Sequence, residues 1–247
     1  MKKLPKPRSS LDSQTEVLFE TVNNMGFSVS KPDLCMQDFV YFCKQTQQPV
    51  LDLGAAYGTA THAALKQGGH VIAVDLDAHH LQVLKERAPK EHLHKLETVQ
   101  DSILNLTYEN ESIGAILASR VLHFLKPEDF ESIVQRLYNW LSVEGEIFVS
   151  VATPFSKFYT EFIPVFEKRR EEGHKWPGRL DNLSELSSPY LKNMPDFMHL
   201  FDLDILKGAF EKAGFAILSI EYFERDTLDE TIRLDGREGI YLRARKK

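Results

Sequence analysis

Apolar positions along this chain alternate between two spacings. Tight apolar runs at 50–53, 70–75, 94–99, 112–118, 146–152, 215–223 and 239–244 read as strands, several of them buried on both faces. Between them the spacing is helical. A first helix is predicted from Ser10 or Asp12 to Asn24, with Val17, Leu18 and Val22 on one face and Gly26 as its stop; a second follows Pro32 and carries Leu34, Cys35, Phe39, Val40 and Phe42. Further helices are predicted over 59–67, 78–87 and 127–141, and from an Asp202 N-cap to Gly214. Strand and helix in alternation predict an α/β chain with a doubly wound sheet. The pattern breaks off between 153 and 200, where Phe155, Phe158, Tyr159, Phe162, Phe166, Trp176, Tyr190 and Phe197 are crowded together. So long a connection is usually functional.

The first core strand runs into Pro49-Val-Leu-Asp-Leu-Gly-Ala-Ala-Tyr-Gly-Thr-Ala-Thr61. Gly54 and Gly58 bracket a turn whose backbone passes close to a ligand, and the following helix starts there. A dinucleotide fingerprint needs glycines at i, i+2 and i+5, where this chain has Gly54, Ala56 and Thr59. An ordinary strand-turn-helix would give the same turn. The next run, His70-Val-Ile-Ala-Val-Asp75, adds a second carboxylate at a strand end, seventeen positions after Gly58. There an acid can accept both hydroxyls of a ribose.

Asp-x-Gly-x-Ala-x-Gly, Asp75 and the later Leu141-x-x-x-Gly-x-Ile-x-Val149 resemble the core of class I S-adenosylmethionine-dependent methyltransferases, with Ala56 replacing the middle glycine. The resemblance spans about 100 residues. It implies a seven-stranded sheet with an antiparallel last strand, helices over 11–47 ahead of it, and a lid inserted over 154–200 after the fifth strand. Residues 1–10 would be a flexible basic arm and 11–247 the methyltransferase domain. It also implies S-adenosylmethionine as methyl donor. Asp52 and the turn of Gly54, Ala55, Ala56 and Gly58 would hold its methionine end, Asp75 with Leu76 its ribose, Asp101 and Ser102 its adenine, and Ser119 and Arg120 would lie near the sulfonium. Asp101 and Ser102 also suit a helix cap or Asx turn.

The loop after the fourth strand carries informative absences. Nitrogen methylating enzymes often place Asp/Asn-Pro-Pro-Tyr/Phe where this chain has Ala118-Ser-Arg-Val121, and no acid stands between Glu111 and Glu128 to serve a metal-dependent catechol-type reaction. His123 is the candidate general base, and a hydrogen-bonded histidine shaping the loop is its alternative. In the insertion, Tyr159, His174, Trp176, Arg179 and His199 are the substrate candidates. Lys168, Arg169, Arg170, His174, Lys175 and Arg179 would clamp an anionic acceptor or form a solvated helix face.

Composition narrows the partners. The 247 residues are 43% hydrophobic, enough to bury a sizeable core in one domain with an insertion. No apolar run approaches the roughly 20 residues of a membrane helix, and the basic start has no apolar stretch after it, so neither membrane insertion nor a secretory signal is expected. Cys35 and Cys43, about 12 Å apart on one helix, are too distant for a disulfide and lack a histidine cluster for zinc. A cytoplasmic setting without a metal is expected. A net charge of −6 argues against a wide nucleic-acid surface, although Lys2–Arg8 and Arg243–Lys247 are basic. The expected partner is a small-molecule acceptor methylated at oxygen, with the protein a monomer or homodimer. Methylation of protein or RNA, a non-catalytic cofactor-fold binding module and a nicotinamide-dependent reductase are the alternatives, the last lacking the shifted glycine and a Tyr/Lys pair.

Overall fold

The structure, a computed structural model, describes residues 18–21, 27–30, 32–186, 194–225 and 233–247. The predicted arm, Tyr190 and much of the first predicted helix lie outside these residues. Where that helix was expected, Leu18–Glu20 (β1) is a strand, paired antiparallel with Phe27–Val29 (β2) in the register Leu18 to Val29. Helical and extended spacing are indistinguishable over so few apolar positions. The second predicted helix is present as Leu34–Phe42 (α1), started by Asp33, whose side chain accepts from Met36 N at 3.0 Å.

The core follows its predicted order: Val50–Leu53 (β3), Thr59–Lys66 (α2), Val71–Asp75 (β4), Ala78–Arg87 (α3), Leu96–Gln100 (β5), Ile113–Ser119 (β6), Pro127–Trp140 (α4) and Leu141–Ala152 (β7). α3 starts at Asp77, which accepts from His79 N at 2.8 Å, and ends ahead of Pro89. β7 begins five residues earlier than predicted. Leu141 pairs with Ile113, and a register shift between Ile113 and Ala115 absorbs the irregular stretch before Glu146. After the insertion, which contributes Ile163–Glu171 (α5) and the short pair Arg179–Leu180 (β8) and Met198–His199 (β9), come Leu203–Lys212 (α6), Ala216–Phe223 (β10) and Gly239–Arg245 (β11). Asp202 caps α6 as predicted, accepting from Ile205 N at 2.9 Å.

The main sheet has seven strands in the order β10-β11-β7-β6-β3-β4-β5. β3 to β7 run parallel; β11 is antiparallel to both neighbours. Helices cover both faces. On one, Phe39 of α1 and Ala64 and Leu65 of α2 pack on Val50, Leu117 and Phe148; on the other, Phe130, Val134 and Leu137 of α4 and Phe210 of α6 pack on Leu53, Ile116 and Ile147. The strand order reverses beside β3, and ligands of open α/β sheets bind at the carboxyl ends of strands near such a reversal. The insertion has its own core, with Phe155, Tyr159, Phe162, Phe166, Leu183 and Met198 buried together. Among the described residues, no helix is long and apolar enough to cross a membrane.

Candidate functional site

The carboxyl ends of β3, β4, β5 and β6 open into a cavity of about 270 Å³, lined in part by Thr21, just after β1, and by Ser28 of β2. Ten of the predicted donor residues line it together: Asp52, Gly54, Ala55, Ala56, Asp75, Leu76, Asp101, Ser102, Ser119 and Arg120. Gly58 stands behind it. Its φ of +86° and the 2.6 Å that would separate an added Cβ from Leu84 Cγ make it a glycine for backbone and packing reasons. Gly54, at φ +70°, lies against Val121. Ala56 holds the same left-handed region at φ 45°, so the motif's missing glycine leaves a strained alanine.

The turn's amides are largely spent inside the protein. Ala55 N donates to Val74 O at 2.9 Å, Gly58 N to Ala55 O at 2.8 Å, and Ala56 N to Asp75 Oδ2 at 2.8 Å. Asp75 also accepts from Asp77 N at 2.9 Å and contacts His80 Nδ1 at 3.0 Å. Its carboxylate is therefore fixed before any ligand arrives. His80 lines the cavity and is 1% exposed, with no partner for its Nε2. Asp52 accepts from the Thr61 hydroxyl at 2.6 Å. Burial pushes its carboxyl up to about 6, the Asp75 charge adding and the Thr61 bond opposing. On Asp101, Oδ1 serves Ser102 N at 2.7 Å and Asn105 Nδ2 at 2.8 Å, so both the turn and the ligand readings of this residue fit, with Oδ2 turned to neither bond. Ser102 Oγ accepts from Leu104 N at 3.2 Å, and Ser119 Oγ meets Ser150 Oγ at 3.0 Å.

Arg120 follows β6 with φ 59° and pairs with Asp33 at 3.2 Å, each side chain about 16% exposed. Three carboxylates and one already paired guanidinium give the cavity an acidic lining, suited to a ligand carrying ammonium and sulfonium charge.

His123 is not brought to this cavity. It is 5% exposed, its Nδ1 accepts from Ala152 N at 3.2 Å, and burial, with Arg225, Arg120 and His199 adding, lowers its pKa to about 3. The bond to Ala152 N fits the loop-shaping alternative, and a ring this hard to protonate is a weak general base. The insertion's candidates are also placed elsewhere. Tyr159 is buried in the insertion core. His174 pairs with Glu172 at 3.2 Å on the surface, and Arg179 is held by Glu128 and Asp181, the latter at 2.9 Å. Trp176 and Phe130 stack edge-on against His199, which is fully buried with both ring nitrogens unpartnered. The basic group is no anion clamp. Lys168 faces Glu172, Arg170 faces Asp202 and Asp204, and Lys175 faces Glu131, while Arg169 donates to the Pro177 and Arg179 carbonyls.

Thr61, His80 and Asp33 escaped the sequence reading because each acts through a partner distant in the chain or on another element; only the Asp-Leu-Asp-Ala-His spacing of 75–79 hinted at a polar helix start beside Asp75.

A methyltransferase domain family model matches residues 50–145, the span that supplies most of this lining. Residues 50–145 thus match a methyltransferase domain, set in the fold of class I S-adenosylmethionine-dependent methyltransferases. Among relatives, the chain is 27% identical to a carboxy-S-adenosyl-L-methionine synthase of Cronobacter sakazakii, over 69% of this chain and 68% of that protein. The fold is shared with an S-adenosylmethionine-dependent methyltransferase of Mesorhizobium loti, at TM-score 0.57 and 18% identity over 80% of this chain and 90% of the other. It is shared as well with the 1,6-didemethyltoxoflavin-N1-methyltransferase of Burkholderia thailandensis, whose crystal structure holds S-adenosylhomocysteine, at TM-score 0.57 and 18% identity over 87% and 79%.

Proposed function

We propose that the enzyme methylates a small-molecule acceptor at oxygen by in-line displacement. The observation that supports this most is the convergence of ten separately predicted donor residues on one acidic cavity. S-adenosylmethionine, when bound there, supplies a methyl group already activated on sulfonium. Asp52 would face its ammonium, Asp75 its ribose hydroxyls, and Asp101 Oδ2 its adenine amino group. Asp75 does so at low cost, because its backbone and His80 contacts have already oriented it. Leu53, Val74, Ile103 and Leu125 exclude water from the same space. Oxygen is favoured as the accepting atom because the nitrogen-site motif is missing after β6.

Titration calorimetry with S-adenosylhomocysteine, S-adenosylmethionine and NADPH tests the donor assignment. Binding of the sulfur compounds alone is expected, weakened at least 30-fold in Asp75→Ala, since hydrogen bonds to a charged group contribute about 1.5–3 kcal/mol each. A folded protein that binds neither would sink it.

A second reading draws on the relative named for carboxy-S-adenosyl-L-methionine synthesis. Arg120, at the sulfonium end of the lining, would pair with a carboxylate carried on the donor. Mass spectrometry of the nucleoside product separates the two: a thioether for methyl transfer, a carboxylated sulfonium for the alternative.

A further inference from the structure

A second cavity, of about 360 Å³, lies behind Arg120. Arg120 lines both spaces, and the start of α1 divides them: Met36 faces the first, Asp33, Leu34 and Cys35 the second. The far wall comes from the sheet's C-terminal strands, with Phe223 ending β10, Glu224 and Arg225 just after it, and Tyr241 in β11.

Two features of this lining stand together. Among the described lining residues, Arg120 and Arg225 are the cations, and the two acids are engaged: Asp33 by Met36 N at 3.0 Å and by Arg120, Glu224 by Arg233 at 2.8 Å. Arg225 is close enough to disfavour protonation of His123 and to ease ionisation of Tyr159, so its positive field reaches into the protein at this point. Among the described lining residues outside these ion pairs, the Cys35 thiol and the Tyr241 hydroxyl are poorly suited to take a proton. Burial pushes the Cys35 thiol well up, and Tyr241, raised first by burial, already donates its hydroxyl to Asp38 at 2.6 Å.

We propose that this second cavity holds the methyl acceptor and that the acceptor is a small organic carboxylate, methylated on its own oxygen. This rests on the first cavity being the donor site. A hydroxyl or ammonium acceptor must lose a proton and would need a base; a carboxylate arrives ionised. Its oxygen lone pair forms the new O–C bond as the C–S bond breaks and leaves its electron pair on sulfur. Sulfonium becomes neutral thioether, carboxylate becomes neutral ester, and no proton moves. Arg120, at the boundary, exchanges Asp33 for the incoming acid, Arg225 likewise turns from an existing partner to hold it from the far wall, and Leu34 and Phe223 take its apolar body.

The test is calorimetric titration of octanoate and 3-phenylpropionate, each beside its primary amide, into protein saturated with S-adenosylhomocysteine. The acids are expected to bind at least tenfold tighter than the amides. Arg225→Gln should lose that margin and Arg225→Lys recover part of it, both retaining S-adenosylhomocysteine affinity within twofold as proof of folding. Asp33→Asn keeps a helix-capping side chain while freeing Arg120, and should tighten acid binding severalfold. With methyl-labelled donor, the product should release volatile labelled methanol in alkali, as an ester does. Equal binding of acids and amides, no acid binding by protein that binds S-adenosylhomocysteine, or weaker acid binding by Asp33→Asn each overturns the proposal. Failure to bind S-adenosylhomocysteine at all places the fault in the donor assignment, and the proposal falls with it.

Discussion

At Asp52 burial, with the Asp75 charge adding, works against ionisation, and the Thr61 hydrogen bond works for it. The carboxyl's usual pKa of 3.8 rises to about 6 in the fold, burial being the largest cause. Between those values the folded protein keeps a proton that the unfolded chain has lost. This group's contribution to stability is therefore full below about pH 4 and is lost as the pH rises through about 6. A cationic ligand set against the ionised carboxylate works in the opposite direction. Donor affinity is expected to rise between pH 5 and 7, with fractional proton release near pH 6, measured by calorimetry in two buffers of different ionisation heat. Asp52→Asn should abolish the release; unchanged release would assign the proton to another group. Ala56 offers a different kind of test. Its left-handed backbone predicts that Ala56→Gly raises stability by up to about 1 kcal/mol in denaturant unfolding, a loss there showing that the methyl packs better than the backbone suffers. At this scale the sequence was informative wherever a carboxylate ended a strand, as with Asp52, Asp75 and Asp101. It was silent on Thr61 and Asp33, whose partners, Asp52 and Arg120, are reached only after folding.

Elements with a long period were legible and short ones were not. α4 repeats its apolar face over fourteen residues and starts at a proline, so its bounds differ from the prediction by one residue. β1 and β2 have three residues each, and what makes them strands is each other, joined Leu18 to Val29. The insertion was legible as a break in the pattern, and the packing of its aromatics was not. Phe155, Phe158, Tyr159, Phe162 and Phe166 pack together, and none of the insertion's described residues lines either cavity. Phe166, fully buried at the centre of that cluster, gives the corresponding test. Phe166→Ala should destabilise the insertion by about 3–5 kcal/mol and expose 154–186 to limited proteolysis. S-adenosylhomocysteine affinity should hold within about threefold, and a larger loss would mean that the insertion supports the donor site after all.

At the scale of the whole molecule, the alternation of strand and helix was enough to place the donor site, because open α/β sheets bind ligands at strand ends beside the reversal. What alternation could not give was the second cavity, whose described walls come from residues 32–35, 37, 120, 223–225 and 241 and meet only when segments from near the two ends of the chain are brought together. The position of β11 carries a further consequence. It follows β7 and β10 in the chain yet lies between them, and β10 pairs with no other strand of the sheet. A ribosome therefore delivers β10 with no neighbour waiting, and the outer edge of β7 stays bare until residues 239–245 emerge. Every described residue lining the first cavity lies at or before Leu125, so that lining is synthesised more than a hundred residues before Gly239. Free donor that binds a nascent chain at that stage would stabilise its finished half by mass action while the other half awaits its middle strand.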